Sequence, residues 1–223
     1  MLRTTLIAAA LSAALASSPA SAQQIAGAAA PANEVELIPR EILFGNPERS
    51  TVQISPDGRY LSWVAPVDGV ANVWVAPADN PAQARAITAD KARGIRQYFW
   101  SYRTDTLLYL RDTGGDEDFH LYAVDLRSGQ SRDLSPFPKT RAQVAGVSDR
   151  HPDTILVGMN DRDPQWHDLY KVDLASGQRT LVQKNDAQIA GYITDADYTP
   201  RFATRARPDG GQDVLAADGK GGW

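Results

Sequence analysis

The chain has 223 residues, with 23 Lys and Arg against 27 Asp and Glu for a formal net charge of −4, and it contains no cysteine. No basic patch stands out, which argues against nucleic acid and anionic membrane surfaces as partners. Without thiols, the fold must hold without disulfides, even in a compartment that permits them.

Residues 1–22 read as a signal peptide: Arg3 gives a positive start, Leu6 to Ala16 an apolar run, and Ala20-Ser21-Ala22 a small-residue cleavage site before Gln23. Cleavage after Ala22 predicts a periplasmic or secreted product. The apolar run is too short for a membrane span of about 20 residues, so no membrane association is expected. Residues 23–34 are alanine-rich, polar and unpatterned, and read as a flexible leader. Residues 35–50 read as an N-terminal arm, in which Ile38 to Pro47 suggests a docking strand or short arm.

From Thr51 the chain alternates in short apolar runs separated by turn residues, the pattern of half-buried strands. The first unit, 51–90, places strands at 51–55, 60–65 and 71–76, with Pro56-Asp57-Gly58 as the first turn and a short polar edge at 84–88. The second, 94–136, places them at 95–100, 106–111, 119–126 and 131–134. The third, 142–184, has 143–147, 154–159, 167–174 and 179–183. The fourth, 187–223, has only 188–194, 201–207 and 212–216, so it lacks an outermost strand.

The units are related by a repeat. Leu121-Tyr122-Ala123-Val124-Asp125-Leu126-Arg127-Ser128-Gly129-Gln130 returns 48 residues later as Leu169-Tyr170-Lys171-Val172-Asp173-Leu174-Ala175-Ser176-Gly177-Gln178, with eight of ten positions identical. Val73-Trp74-Val75 is a weaker copy one period upstream. Each copy is a strand that breaks at Ser-Gly, where glycine supplies the positive φ of a tight turn. Four antiparallel strands per repeat, with no 3.6-residue apolar stripe, predict an all-β chain and a β-propeller. A parallel β-helix has much shorter repeats and is set aside. About three and a half units cannot close a ring of four to eight blades, so the expectation is an incomplete propeller. The first and last blades are then expected to expose apolar faces, and Leu121, Tyr122 and Val124 to pack with Leu169, Tyr170 and Val172.

Several stretches resemble the amino-terminal propeller of the prolyl oligopeptidase family of serine peptidases, particularly its acylaminoacyl-peptidase and dipeptidyl-peptidase-like exported bacterial members. They are Phe44-Gly45-Asn46-Pro47, Ile54-Ser55-Pro56-Asp57-Gly58-Arg59-Tyr60-Leu61, the run from Gly114 to Tyr122, and Tyr192-Ile193-Thr194-Asp195 leading into Pro200-Arg201-Phe202-Ala203. The likeness implies a propeller that caps an α/β-hydrolase domain and restricts access to short peptides. That family's nucleophile lies in a Gly-x-Ser-x-Gly elbow, and the sequence contains no such pentapeptide. The expectation is therefore a substrate-gating portion truncated before the catalytic domain, with no catalytic residues and no activity alone. Ser-Pro-Asp-Gly also occurs in TolB-like periplasmic propellers, so the alternative is a stand-alone module that binds proteins or ligands.

The candidate substrate-binding residues are Asp116 and Glu117, in a hairpin loop whose counterparts one repeat later are Pro164 and Gln165. Paired carboxylates there suit a peptide's free amino group, whereas the plainer alternative is a solvated loop. Calcium at Asp112, Asp116 and Asp118 fails for want of the ligand-loop spacing, and Asn160 to Asp163 carries its own arginine, so no metal and no cofactor is expected. His120, His151 and His167 read as structural, and Trp63, Trp74, Tyr122 and Tyr170 as packing between blades.

Overall fold

The computed structural model describes residues 37–45 and 47–223. The expected signal peptide and leader lie outside the described residues. The chain divides into two compact units, Met1–Gly45 and Asn46–Trp223.

In the first unit the described segment holds one five-residue helix, α1 (Arg40–Phe44), and not the docking strand that is one of the two readings over 38–47. Pro39, with φ −54°, presets the entry to the turn, and Glu41 sits in the first turn, where a carboxylate is favourable. The Gly45 N–H donates to the Glu41 carbonyl at 2.9 Å and closes it.

The second unit is an open array of four antiparallel sheets, each a simple meander. The first comprises β1 (Ser50–Ile54), β2 (Tyr60–Val67), β3 (Val70–Pro77) and β4 (Arg85–Ala86), with a single 3-10 turn at Pro81–Gln83. The second comprises β5 (Gln97–Trp100), β6 (Thr106–Arg111), β7 (His120–Asp125) and β8 (Ser131–Asp133). The third comprises β9 (Ala142–Gly146), β10 (Thr154–Asp163), β11 (Trp166–Asp173) and β12 (Arg179–Gln183). The fourth has three strands, β13 (Gly191–Thr194), β14 (Pro200–Ala206) and β15 (Gln212–Ala216), so the expected lack of an outermost strand is borne out. This is a partial β-propeller.

The repeated decapeptide is explained by its turn. Asp125 Oδ1 accepts hydrogen bonds from the Arg127 amide (3.0 Å), the Ser128 amide (2.8 Å) and the Ser128 hydroxyl (3.0 Å). Asp173 does the same for the amides of Ala175 (3.1 Å) and Ser176 (2.7 Å) and the Ser176 hydroxyl (2.7 Å). Gly129 and Gly177 follow at φ 69° and 76°, a region that excludes most side chains. The turn itself uses only the backbone N–H of position 127 or 175, so alanine can stand at 175, while the Arg127 side chain is spent outside the turn, donating through Nε to Asp105 Oδ2 at 2.6 Å.

Three apolar layers lie between consecutive sheets. Val64, Val73 and Val75 pack with Tyr98, Leu107 and Val124. Leu108, Leu121 and Ala123 pack with Ile155, Val157 and Val172. Leu156 and Leu169 pack with Tyr198. Because strand side chains alternate, neighbours in one strand serve different layers. Tyr122 and Val124 face the first sheet while Leu121 faces the third, and Tyr170 and Val172 face the second while Leu169 faces the fourth. The two tyrosines, expected to meet, therefore sit in separate layers and are half-buried. Each fully buried Leu or Val contributes about 1.5–3 kcal/mol.

The β10–β11 hairpin is longer than the sequence suggests, running past Met159 through four polar residues to a turn at Pro164-Gln165. Those residues have partners: Asp161 pairs with Arg179 at 2.8 Å, and Arg162 with Asp168 at 2.7 Å. At the opposite ends of the sheets, cross-sheet ion pairs recur. Arg59 reaches Asp105 (2.8 Å), Arg103 reaches Asp153 (3.0 Å) and Arg150 reaches Asp197 (2.9 Å), each linking one sheet to the next.

Candidate functional site

The first strand of each sheet is the innermost, and three of them line one cavity of about 740 Å³, through Thr51 of β1, Gln97 to Phe99 of β5 and Ala142 to Val144 of β9. Buried hydrogen bonds hold these strands in place. Gln53 Nε2 donates to the Tyr98 carbonyl at 3.1 Å, and the Tyr98 hydroxyl donates to the Thr51 carbonyl. Ser62 Oγ donates to that hydroxyl at 3.1 Å and accepts from Trp100 Nε1 at 2.9 Å. Burial holds the Tyr98 phenol above its ordinary range, against the Ser62 bond, so it stays neutral.

The cavity opens toward the β6–β7 hairpin, where Leu110, Arg111, Asp112 and Phe119 join the wall, together with Arg93, Arg96 and Arg141 from the segments entering β5 and β9. Its floor is apolar and its mouth is cationic. Arg93 Nε lies 3.2 Å from Asp112 Oδ2, and the Asp112 side chain is only 7% exposed. Arg111 stacks on Tyr122, 5.0 Å from the ring centroid. Arg141 lies 5.8 Å from the Phe119 ring centroid. Among the described residues, Arg96 and Arg141 make no ion pair.

The predicted pair, Asp116 and Glu117, occupies the hairpin beside this mouth. Asp116 Oδ1 accepts from the amides of Thr113 (3.2 Å) and Asp118 (3.1 Å), so that oxygen shapes the loop. Glu117 is exposed with φ 61°. Gly115, at φ 91°, lies against Arg93: a Cβ there would stand 2.8 Å from its Nη1. The acidic loop is thus seated on a cavity arginine, and the Glu117 carboxylate, like that of Asp118, is not engaged in the loop's own bonds.

The histidines do not converge. His120 Nδ1 pairs with Asp133 Oδ2 at 2.7 Å, and His151 stacks on Tyr198 at 5.3 Å with Nε2 3.4 Å from Asp197. His167 is pulled below its ordinary range by burial and by the nearby Arg141. Among the described residues no serine hydroxyl bonds to a histidine, and no three carboxylate or imidazole groups cluster as metal ligands would. Trp63 packs under Arg49 (4.8 Å) and faces Trp74 across β2–β3.

Sequence reasoning did not find the arginines or the cavity. One signal was present: Arg93 and Arg141 stand 48 residues apart, one repeat. Arg96 and Arg111 have Val144 and Met159 at the matching positions, so they depart from the repeat as the acidic loop does.

No protein-family model matches the chain. The chain is 71% identical, over 226 residues and 99% of its length, to dipeptidyl aminopeptidase BIII of Pseudoxanthomonas mexicana. It is 29% identical, over 184 residues and 79% of its length, to dipeptidyl peptidase family member 6 of Caenorhabditis elegans. It spans about a third (32%) of the first relative and about a quarter (24%) of the second. Among solved structures, the β-propeller domain of the Trilobed protease from Pyrococcus furiosus, described as having an open velcro topology, matches with a TM-score of 0.51 at 18% identity, over 78% of this chain and 55% of that one. That likeness concerns the fold. The resemblance to peptidase propellers read from the sequence is borne out.

Proposed function

We propose, from its kinship with a dipeptidyl aminopeptidase, that this chain is the non-catalytic, substrate-gating propeller portion of a prolyl-oligopeptidase-family serine peptidase. The observation that carries this reading is 71% identity over nearly the whole chain to such an enzyme, in a sequence that lacks the Gly-x-Ser-x-Gly nucleophile. The chain's part is then to admit and orient short peptides, while an α/β-hydrolase domain supplies the nucleophile, base and oxyanion hole. The axial cavity supports this role, because a passage framed by inner strands excludes folded proteins by size alone. Glu117, beside the mouth, is suited to hold the free amino group of an entering peptide, with Asp116 fixing the loop that presents it. The signal-like residues 1–22 support a periplasmic or secreted location.

The test is an exchange. This chain replaces the matching third of dipeptidyl aminopeptidase BIII, and hydrolysis of dipeptidyl chromogenic substrates is followed for the chimera and for the isolated chain. The chimera is expected to cleave and the chain alone to match buffer. Hydrolysis by the purified chain alone, abolished by a serine-directed inhibitor, would overturn the reading.

A further inference from the structure

Three features of the axial cavity are not explained by packing. The first is charge. Of the four arginines that line it, Arg93 is neutralised by Asp112 and Arg111 lies on the Tyr122 ring, whereas Arg96 and Arg141 are exposed and meet no carboxylate among the described residues. Two guanidinium groups around one concavity attract an anion, and each offers the planar, forked donors that fit a carboxylate.

The second is how the buried carboxylate is used. Asp112 Oδ2 is closed to solvent and lies 3.2 Å from Arg93 Nε, so it is committed to that arginine and leaves the charge of Arg96 and Arg141 uncompensated.

The third is the apolar lining. Phe99, Leu110, Phe119 and Val144 contribute apolar surface, and the volume of about 740 Å³ is that of a small-ligand site. A bare inorganic anion would leave this surface unmatched. A peptide with a carboxylate and an apolar side chain matches both the charge and the surface.

We propose that this cavity is a carboxylate-reading subsite that takes a short peptide bearing an apolar side chain. Arg96 and Arg141 bind the peptide's carboxylate, and the apolar lining covers the apolar side chain. The carboxylate comes either from the peptide's C-terminus or from an acidic side chain. This deepens the gating role and rests on it: the passage then selects by charge as well as by size.

Binding of Ala-Ala-Phe to the full chain, followed by titration calorimetry, tests this against its C-terminal amide. The free acid is expected to bind about tenfold more tightly or better, the scale of one charge-assisted contact. The Arg96→Gln and Arg141→Gln double variant should erase that difference, while Arg132→Gln, outside the cavity, should preserve it. Both replaced arginines are exposed, so unchanged circular dichroism is the expected control. If Ala-Glu-Phe-amide recovers the affinity lost on amidation, a side chain supplies the carboxylate, which supports the subsite equally. Equal affinity for acid and amide, no binding of either, or a preference that survives the double variant overturns it. Inorganic phosphate binding as tightly as the tripeptide also overturns it, since a bare anion makes no use of the apolar lining. The chimera is scored on dipeptidyl chromogenic substrates, which carry no carboxylate, so it can remain active while the subsite fails, and the two readings fall separately.

Discussion

Arg162 and Asp168 are joined by two hydrogen bonds of 2.7 Å each, Nε to Oδ2 and Nη2 to Oδ1, across the long third hairpin. The Asp168 side chain is 1% exposed, and its Oδ1 also accepts from the Asn185 amide at 2.7 Å. The Asn185 side chain in turn donates to the Ile189 carbonyl at 2.8 Å and accepts from the Ile189 amide at 2.9 Å. One carboxylate thus ties β11 to the segment that crosses from the third sheet to the fourth. Removing it leaves the arginine fork and the Asn185 amide without their acceptor. Asp168→Ala should destabilise the second unit by about 3 kcal/mol in urea unfolding, the lower end for breaking such a pair. A loss below about 1 kcal/mol would show that the knot is dispensable.

Acid should unfold this chain through its turn carboxylates. The Ser55 hydroxyl, donating at 2.7 Å, holds the Asp57 carboxyl down at about 2, with help from Arg59 against partial burial. Asp125 and Asp173 are lowered first by the Ser128 and Ser176 amides of the repeated turn. These groups bind protons more weakly when folded than when unfolded, where aspartate titrates near about 3.9. Their stabilisation is complete above that value and is lost as pH falls through the folded pKa values. Ser55→Ala should raise the Asp57 pKa in an NMR titration. An unchanged Asp57 would show that the hydroxyl is not its main support.

His167 sets a second, milder pH dependence. Burial first, and then Arg141, lowers its pKa, so the folded protein resists protonating a ring that the unfolded chain protonates below about pH 6.5. Stability should therefore decline as pH falls below that value, with the full contribution present above it. His167→Gln should flatten the slope of urea midpoint against pH in this window. If the slope is the same in both proteins, the imidazole is not responsible.

The outer face of the fourth sheet is open. Ile193, Phe202 and Val214 are 53%, 46% and 68% exposed, and Ile193 and Phe202 are directly paired across β13–β14. Contiguous exposed apolar side chains recruit apolar partners. The purified chain should bind a hydrophobic dye and self-associate, and the Ile193→Ser, Phe202→Ser double variant should do so less, with its urea midpoint little changed. Dye binding that is indifferent to this pair would place the reactive surface elsewhere.

The fold was legible because its turn chemistry is local. Asp125, Ser128 and Gly129 bond among themselves, as do Asp173, Ser176 and Gly177, so the repeat survives in the sequence wherever the turn survives in space. The length of the β10–β11 hairpin was not legible, since its polar stretch is satisfied by partners distant in sequence, with Asp161 answered by Arg179 and Arg162 by the Asn185 carbonyl. The helical turn at Arg40–Phe44 is too short to show a period. Asp116 and Glu117 were visible as a departure from the repeat. The cavity arginines were not, because Arg96 and Arg141 come to one lining only when the second and third sheets assemble, and their spacing in the chain is not that of the repeat.

The cross-sheet pairs Arg59–Asp105, Arg103–Asp153 and Arg150–Asp197 all lie at the end of the array away from the cavity mouth, in the turns that enter the second strand of each sheet. One end of the array therefore works as a hinge-pin, its side chains holding neighbours at a set angle. The hairpins at the other end differ in length: Asp68-Gly69 and Pro164-Gln165 are two-residue turns, whereas Asp112 to Phe119 is a long excursion. Change can accumulate at the mouth without disturbing the pitch of the array. A lineage can re-tailor what the passage accepts by editing one hairpin, and leave the frame that every blade depends on untouched.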